Sequence, residues 1–286
     1  MKKGDKAAIV CCSNAIPHTS KEMVKALEKY LAGMGLHPVL GDCIYSTDSV
    51  FGGSAKERAR SLMRFYRDPE IKVIFDISGG DIANGVLPFL DYEAIAGSGK
   101  MFWGYSDLTT VLNAIYARTG KSSVLYQIRH LSHEKTEARR RDFYNTIING
   151  GNDLYSFSCE IVQKGIPQGI VVGGNIRCLL KLAGTGYWPD MNRKVLLLES
   201  FHGSEAQMAA YFSQLEQMGV FEQISGILLG TFTELEEKRG RSWVIGMVKQ
   251  YAGSALPILK TDEIGHSIDS KGIMIGKELK INLKIL

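Results

Sequence analysis

The 286 residues, 45% apolar and 22% charged, suffice for one large or two modest domains with full cores and fall outside the disordered regime. A formal charge of +4, from 34 basic and 30 acidic residues interspersed apart from the run Arg139-Arg140-Arg141, gives no electrostatic footprint for a nucleic-acid polymer. The 5 cysteines include no CxxC pair and imply neither a disulfide framework nor a zinc site, which fits a reducing cytoplasm, and no apolar run reaches the roughly 18 residues of a membrane span.

In chain order, the apolar run Ala7 to Cys12 reads as a buried first strand and is too short for the core of a secretion signal. Thr19-Ser20-Lys21-Glu22 has a capping-box pattern and predicts a helix to about Gly35, with Met23, Leu27, Tyr30, Leu31 and Met34 at helical spacing. A helix over Ala55 to Tyr66 precedes a strand over Ile71 to Ile77, and a strand over Met101 to Gly104 precedes a helix over Leu108 to Arg118. This alternation predicts an α/β fold with a parallel sheet covered by helices on both faces. After an Arg-rich helix from Ser132 to Ile148, Gly150-Gly151-Asn152-Asp153 is the strongest loop signal near mid-chain. It sets the expected boundary between an N-terminal α/β domain, 1–150, and a smaller β-rich C-terminal domain, 151–286. Strands are expected at Gly169 to Val172, Lys194 to Glu199 and Ser225 to Thr231. A helix capped by Ser204 with Gln207 at the box position follows the second, and a β-rich stretch from Gly272 to Leu286, in antiparallel pairing, closes the chain.

Candidate chemistry concentrates where strands end. In Phe102-Trp103-Gly104-Tyr105-Ser106-Asp107-Leu108-Thr109 a strand ends at glycine and a serine precedes a helix. Such an elbow exposes the hydroxyl beside free helix N–H groups, although Asp107 and Leu108 depart from G-x-S-x-G. By spacing alone, Ser106 fits the commoner role of a helix N-cap. Of the 6 histidines, His266, where the run Pro257 to Gly265 opens into a loop, is the best-placed base, though a lone loop histidine is more often an ordinary surface residue. Glu199 ends the run Val195-Leu196-Leu197-Leu198, so a carboxylate there stands at the mouth of a buried strand and can orient a base, or else is merely solvated. Ser106, Glu199 and His266 all lie beyond the carboxyl ends of expected strands, where open α/β sheets build their sites. Ser78-Gly79-Gly80-Asp81 can aim N–H groups at an oxyanion or simply form a tight turn, and Gly173-Gly174-Asn175 reads as structural or pocket-lining. Cys11 and Cys12 read as inert strand residues. No metal-ligand constellation is visible.

The elbow Gly104 to Thr109, the Gly-Gly pair before Leu87-Pro88-Phe89-Leu90-Asp91-Tyr92, and the pair Gly265-His266 together resemble the serine LD-carboxypeptidase family. The likeness extends over nearly the whole chain and includes Gly173-Gly174-Asn175, Ala183-Gly184-Thr185-Gly186, Leu197-Leu198-Glu199 and Gly226 to Gly230. It implies an α/β N-terminal domain, a smaller β-rich C-terminal domain, a site between them, no metal or other cofactor, and a homodimer. It further implies Ser106 as nucleophile, His266 as general base, Glu199 as its orienting carboxylate, and the N–H groups of Gly80 and Asp107 as the oxyanion hole. The expected substrate is a small cell-wall peptide that loses a terminal D-amino acid. Three departures bear on the pocket. Ser78-Gly79-Gly80-Asp81-Ile82 replaces the common Arg-Gly-Gly-Tyr-Gly and lies nearer the branch that includes microcin C immunity peptidases. Val124 to Ile128 lacks a Gly-Pro pair, and Cys11-Cys12-Ser13 replaces Ala-Pro-Ser. Gly79, Asp81, Ser13 and Asn175 are therefore the expected pocket residues, and Asp81 is expected to repel an anionic substrate terminus unless a basic group offsets it. Two rivals follow: hydrolysis of a peptidyl or aminoacyl nucleotide amide, and a non-catalytic binding protein with a vestigial triad.

Overall fold

The computed structural model describes residues 1–133 and 136–283. The first sheet is formed by β1 (Lys6–Val10), β2 (His37–Leu40), β3 (Ile71–Asp76), β4 (Met101–Gly104), β5 (Ser123–Leu125) and, from far along the chain, β11 (Ile273–Ile275). Its order is β11-β5-β4-β3-β1-β2, with all neighbours parallel except β11, which runs antiparallel to β5. The parallel strands are joined by α1 (Lys21–Gly33), α2 (Ala55–Arg67), α3 (Tyr92–Gly97) and α4 (Thr109–Thr119). Near-continuous apolar sequence explains this arrangement, since a strand buried on both faces has no solvated side on which to place polar residues. Every residue of β1 after Lys6 is buried.

The second sheet has the order β12-β6-β10-β9-β8-β7, built from β6 (Ser158–Gln163), β7 (Val171–Asn175), β8 (Val195–Ser200), β9 (Gly226–Phe232), β10 (Ile258–Lys260) and β12 (Asn282–Leu283). β7 to β10 are mutually parallel and β6 is antiparallel to β10. After α5 (Glu137–Ile147), the helices α6 (Ile176–Leu180), α7 (Glu205–Gln217), α8 (Val220–Gln223), α9 (Thr233–Arg239) and α10 (Arg241–Ala252) belong to this half, and α9 and α10 have no counterpart among the expected elements. One apolar cluster runs through both sheets, joining Val10, Leu112 and Ile275 to Val171, Leu197, Leu228 and Leu259.

Ser20 precedes α1 without a side-chain cap bond, so the capping box expected there does not form. Boxes form instead at Ser54 with Glu57, and at Ser204 with Gln207 as expected. The Arg-rich helix begins at Glu137 rather than Ser132, because Ile128–Ser132 is a separate 3-10 turn. In the closing stretch only Ile273–Ile275 and Asn282–Leu283 are strands among the described residues, and 284–286 lie outside them.

A close approach holds the two sheets together. Asn113 on α4 donates from Nδ2 to Gly173 O (2.9 Å) and accepts from Gly173 N at Oδ1 (2.8 Å), while Asn175 N donates to Thr109 Oγ1 at 3.0 Å. A Cβ on Gly174 would come within 2.7 Å of Thr109 Oγ1, and Gly173 and Gly174 have φ of +102° and +134°. Only glycine permits both that backbone and that contact. The Gly173-Gly174 pair is thus structural, and it seats the helix that follows Ser106 against the strand beside β8.

Candidate active site

A cavity of about 760 Å³ opens where the carboxyl ends of both sets of parallel strands meet, lined by Ser106, His266, Gly79, Gly80, Asp81 and Asn175 among others. The first sheet reverses its winding between β1 and β3, and the loops leaving those strands, at Asn14 and at Gly79 to Asp81, form one wall, as expected at a topological switch point.

Ser106 has φ +53°, a left-handed conformation that costs a non-glycine residue roughly 1 kcal/mol or more. The turn is enforced locally: a Cβ on Gly104 would lie 2.6 Å from Leu108 Cβ, so strand and following turn can meet only at glycine. Leu108 N closes the turn on Tyr105 O at 2.9 Å.

His266 Nε2 lies 3.2 Å from Ser106 Oγ, and its Nδ1 lies 2.7 Å from Glu199 Oε2. A carboxylate can only accept, so Nδ1 carries the proton and Nε2 offers its lone pair to the serine hydroxyl. The ring stacks on Phe201 (centroids 4.8 Å apart) and leans on Tyr105 (4.5 Å). Its loop is pinned to the end of β9, where Thr231 N donates to Ile264 O at 2.8 Å and a Cβ on Gly265 would collide with Thr231 Oγ1. Glu199 is fully buried at the end of the neighbouring strand β8. The fold therefore brings together three groups that the sequence separates by up to 160 residues.

Gly80 has φ +121°, and a Cβ there would overlap the Asn14 side chain. Asn14 holds the turn, accepting from Asp81 N at Oδ1 (3.0 Å) and donating its own N–H to Gly79 O (3.1 Å). Arg177 Nη2 donates to Gly80 O at 3.1 Å and pairs through Nη1 with the Asp81 carboxylate. The basic group that offsets Asp81 is therefore present, and its hydrogen bond holds the Asp81 pKa below the ordinary value. The expected repulsion of anions by Asp81 loses its physical basis.

Asp107 is fully buried. Its Oδ2 accepts from Ser13 Oγ (2.6 Å) and Ala83 N (2.8 Å), and its Oδ1 from Lys181 Nζ (2.5 Å). Ser13, expected in the pocket, is itself completely buried beneath it and braces Asp107 instead. Asn175 lines the pocket and also caps the short helix Ile176–Leu180 through Cys178 N at 3.3 Å. Arg129, Arg177 and Lys181 were not among the expected site residues. Arg177 and Lys181, four apart just past a strand end, carried a readable signal, because that spacing puts both on one helix face.

Cys11 and Cys12 are buried, and burial followed by the Asp76 charge pushes both thiols well above their ordinary pKa. Iodoacetamide is accordingly expected to leave the folded protein and its turnover unchanged, as read by intact-mass spectrometry. Rapid inactivation with Ser106 unmodified would point to a thiol nucleophile.

His130 also lines the cavity, and burial, then Arg129, His133 and His266, pulls its pKa down to about 4. A histidine depressed in the fold lends stability that is complete above its unfolded value near 6.5 and is lost as pH falls from there towards 4. Urea unfolding from pH 7.5 to 4.5 should therefore show a wild-type loss exceeding that of His130→Gln by ~1–2 kcal/mol. Parallel curves would show that His130 titrates normally.

Residues 7–126 match the model of the LD-carboxypeptidase N-terminal domain, and residues 168–281 that of the LD-carboxypeptidase C-terminal domain. The chain belongs to the LD-carboxypeptidase family. It is 28% identical to the microcin C7 self-immunity protein MccF of Escherichia coli, over 98% of this chain and 91% of that protein. It is also 28% identical to a probable murein peptide carboxypeptidase of Bacillus subtilis, over 99% and 90%. A solved structure of MccF in complex with glutamyl sulfamoyl guanosine shares the fold, with a TM-score of 0.85 at 24% identity, covering 97% of this chain and 93% of that one. The two-domain α/β architecture and the assignment as a peptide-bond hydrolase follow from membership of this family. No described helix is long and apolar enough to cross a membrane.

Proposed function

We propose that the enzyme is a serine amidase of LD-carboxypeptidase type that releases a terminal D-amino acid from a small cell-wall peptide through a Ser106–His266–Glu199 acyl transfer. The observation that carries this reading is the hydrogen-bonded line from Ser106 Oγ through His266 to the buried Glu199, with the serine held at positive φ in the cavity. His266 Nε2 takes the hydroxyl proton as Oγ attacks the amide carbon. The N–H groups of Gly80 and Asp107 receive the oxyanion, the second because a first-turn N–H has no partner within its helix. His266 then returns the proton to the leaving amine, and the same base activates a water that cleaves the ester. Glu199 keeps the imidazole in the required tautomer and balances its charge when protonated.

A second reading, hydrolysis of an aminoacyl or peptidyl nucleotide amide, is favoured by the likeness to MccF over nearly the full chain. The two are separated by a mass-spectrometric panel of murein-type tetrapeptides and aminoacyl sulfamoyl nucleosides, with Ser106→Ala as control. Loss of D-alanine from the tetrapeptide supports the first reading, and cleavage of the nucleoside alone supports the second. If the wild type cleaves neither, the protein is better read as a binder.

A further inference from the structure

Around the cavity, each carboxylate has a partner: Asp81 has Arg177, Asp107 has Lys181, and Glu199 has His266. Among the described residues Arg129 completes no such pair. Among the described residues its side chain donates only from Nε, to the neutral Oε1 of Gln127 at 3.3 Å. Asp76, whose charge reaches Arg129, has its oxygens committed to Cys12 N, Ser78 N and Ser78 Oγ at 2.5–2.7 Å. Burial pulls the pKa of the Arg129 guanidinium below its ordinary value. A partly buried cation with unspent planar donors is costly to hold without an anion and is suited to bind a two-oxygen anionic group.

Its position gives the anion a place. Arg129 lines the cavity, and its Nη2 lies 3.7 Å from where a Gly79 Cβ would be, beside the turn that holds Gly80. It also acts electrostatically on Tyr105, the residue before Ser106. We infer that Arg129 binds an anionic oxygen group of the substrate adjacent to the scissile amide, and thereby selects for amides that carry one. A free carboxylate on the departing amino acid and a sulfamate or phosphate in a nucleotide amide share this chemistry. The inference rests on the acyl-transfer reading for where the scissile bond lies.

The test reads binding, so it does not depend on turnover. In the Ser106→Ala background, calorimetry compares an acetylated murein-type peptide ending in D-alanine, its C-terminal carboxamide, and an aminoacyl sulfamoyl adenosine. With Arg129 present, the acid should bind at least about tenfold more tightly than the carboxamide. Arg129→Met should remove that preference while changing carboxamide affinity by less than about threefold, and Arg129→Lys should restore part of it, keeping the test informative should the Met variant fold poorly. Arg129-dependent affinity for the sulfamoyl nucleoside alone supports the inference with the nucleotide as the source of the anion. Equal binding of acid and carboxamide together with Arg129-independent nucleoside binding, a preference that survives Arg129→Met, or no binding of any probe overturns it. If the preference depends on Arg129 but protein with Ser106 intact cleaves none of the three, the catalytic reading fails while the anion site stands. Cleavage with charge-blind binding is the reverse.

Discussion

Ser106→Ala is expected to fold normally and to lose about 10³-fold or more in kcat/KM, because only substrate binding and oxyanion contacts survive removal of the proposed nucleophile. His266→Ala should cost a similar factor, and the double variant little more than either alone, if the 3.2 Å contact works as the proposed proton-transfer unit. A double variant that loses the product of the two single factors would refute the shared-proton role. The strained backbone adds a readout independent of turnover. At φ +53°, Ser106→Gly should relieve the left-handed penalty and raise stability by ~1 kcal/mol while abolishing turnover. Equal stability of the serine, alanine and glycine proteins would mean that the elbow stores no strain.

The proposed nucleophile, base and carboxylate stand out in the sequence as candidates because each lies at a strand end marked by a local signal (glycine before Ser106, an apolar run before Glu199, a glycine-bounded loop around His266), while the roles proposed for them come from the family resemblance. What the sequence could not reveal was how side chains from the two halves would interlock. Asp81 and Arg177 are 96 positions apart, as Asp107 and Lys181 are 74, so neither pair leaves a periodic trace. The family resemblance puts Ser13 in the pocket wall, whereas here the Asp107 carboxylate, 94 positions away, draws its hydroxyl inward. The Gly173-Gly174 pair looked ambiguous because its cause, contact with Thr109 and Asn113, lies about 60 residues upstream. In the first sheet β1, β3 and β4 were readable from apolar runs, but the short strands β2 and β5 were not, nor were α9 and α10. Arg241–Ala252 buries only Val244 and Val248, too narrow an apolar stripe to stand out against its neighbours.

Lys181→Met is expected to destabilise the fold by ~3 kcal/mol, since removing one partner of a buried ion pair leaves the other charge uncompensated. The Lys181 side chain is 19% exposed and Asp107 is 0% exposed, so water can reach the lysine but cannot solvate the carboxylate it leaves behind. Ser13 Oγ and Ala83 N would remain as donors to Oδ2, while Oδ1 would lose the charged donor that lies 2.5 Å away. The effect should reach chemistry as well. Asp107 directly follows the proposed nucleophile, and its side chain ties the elbow to Ala83 on one side and to the second half of the chain on the other, so a shift of its backbone moves an N–H proposed to receive the oxyanion. A fall in kcat of about tenfold, with KM changed less, is the expected signature. Combining Lys181→Met with Asp107→Asn removes both charges and should recover at least half of the lost stability, because a neutral amide costs less to bury than an orphaned carboxylate. Urea unfolding of the three variants decides it. If Lys181→Met alone stays within about 0.5 kcal/mol of wild type, the Asp107 carboxylate is held by its hydrogen bonds rather than by the lysine, and the link between the two halves at this point is weaker than the geometry implies.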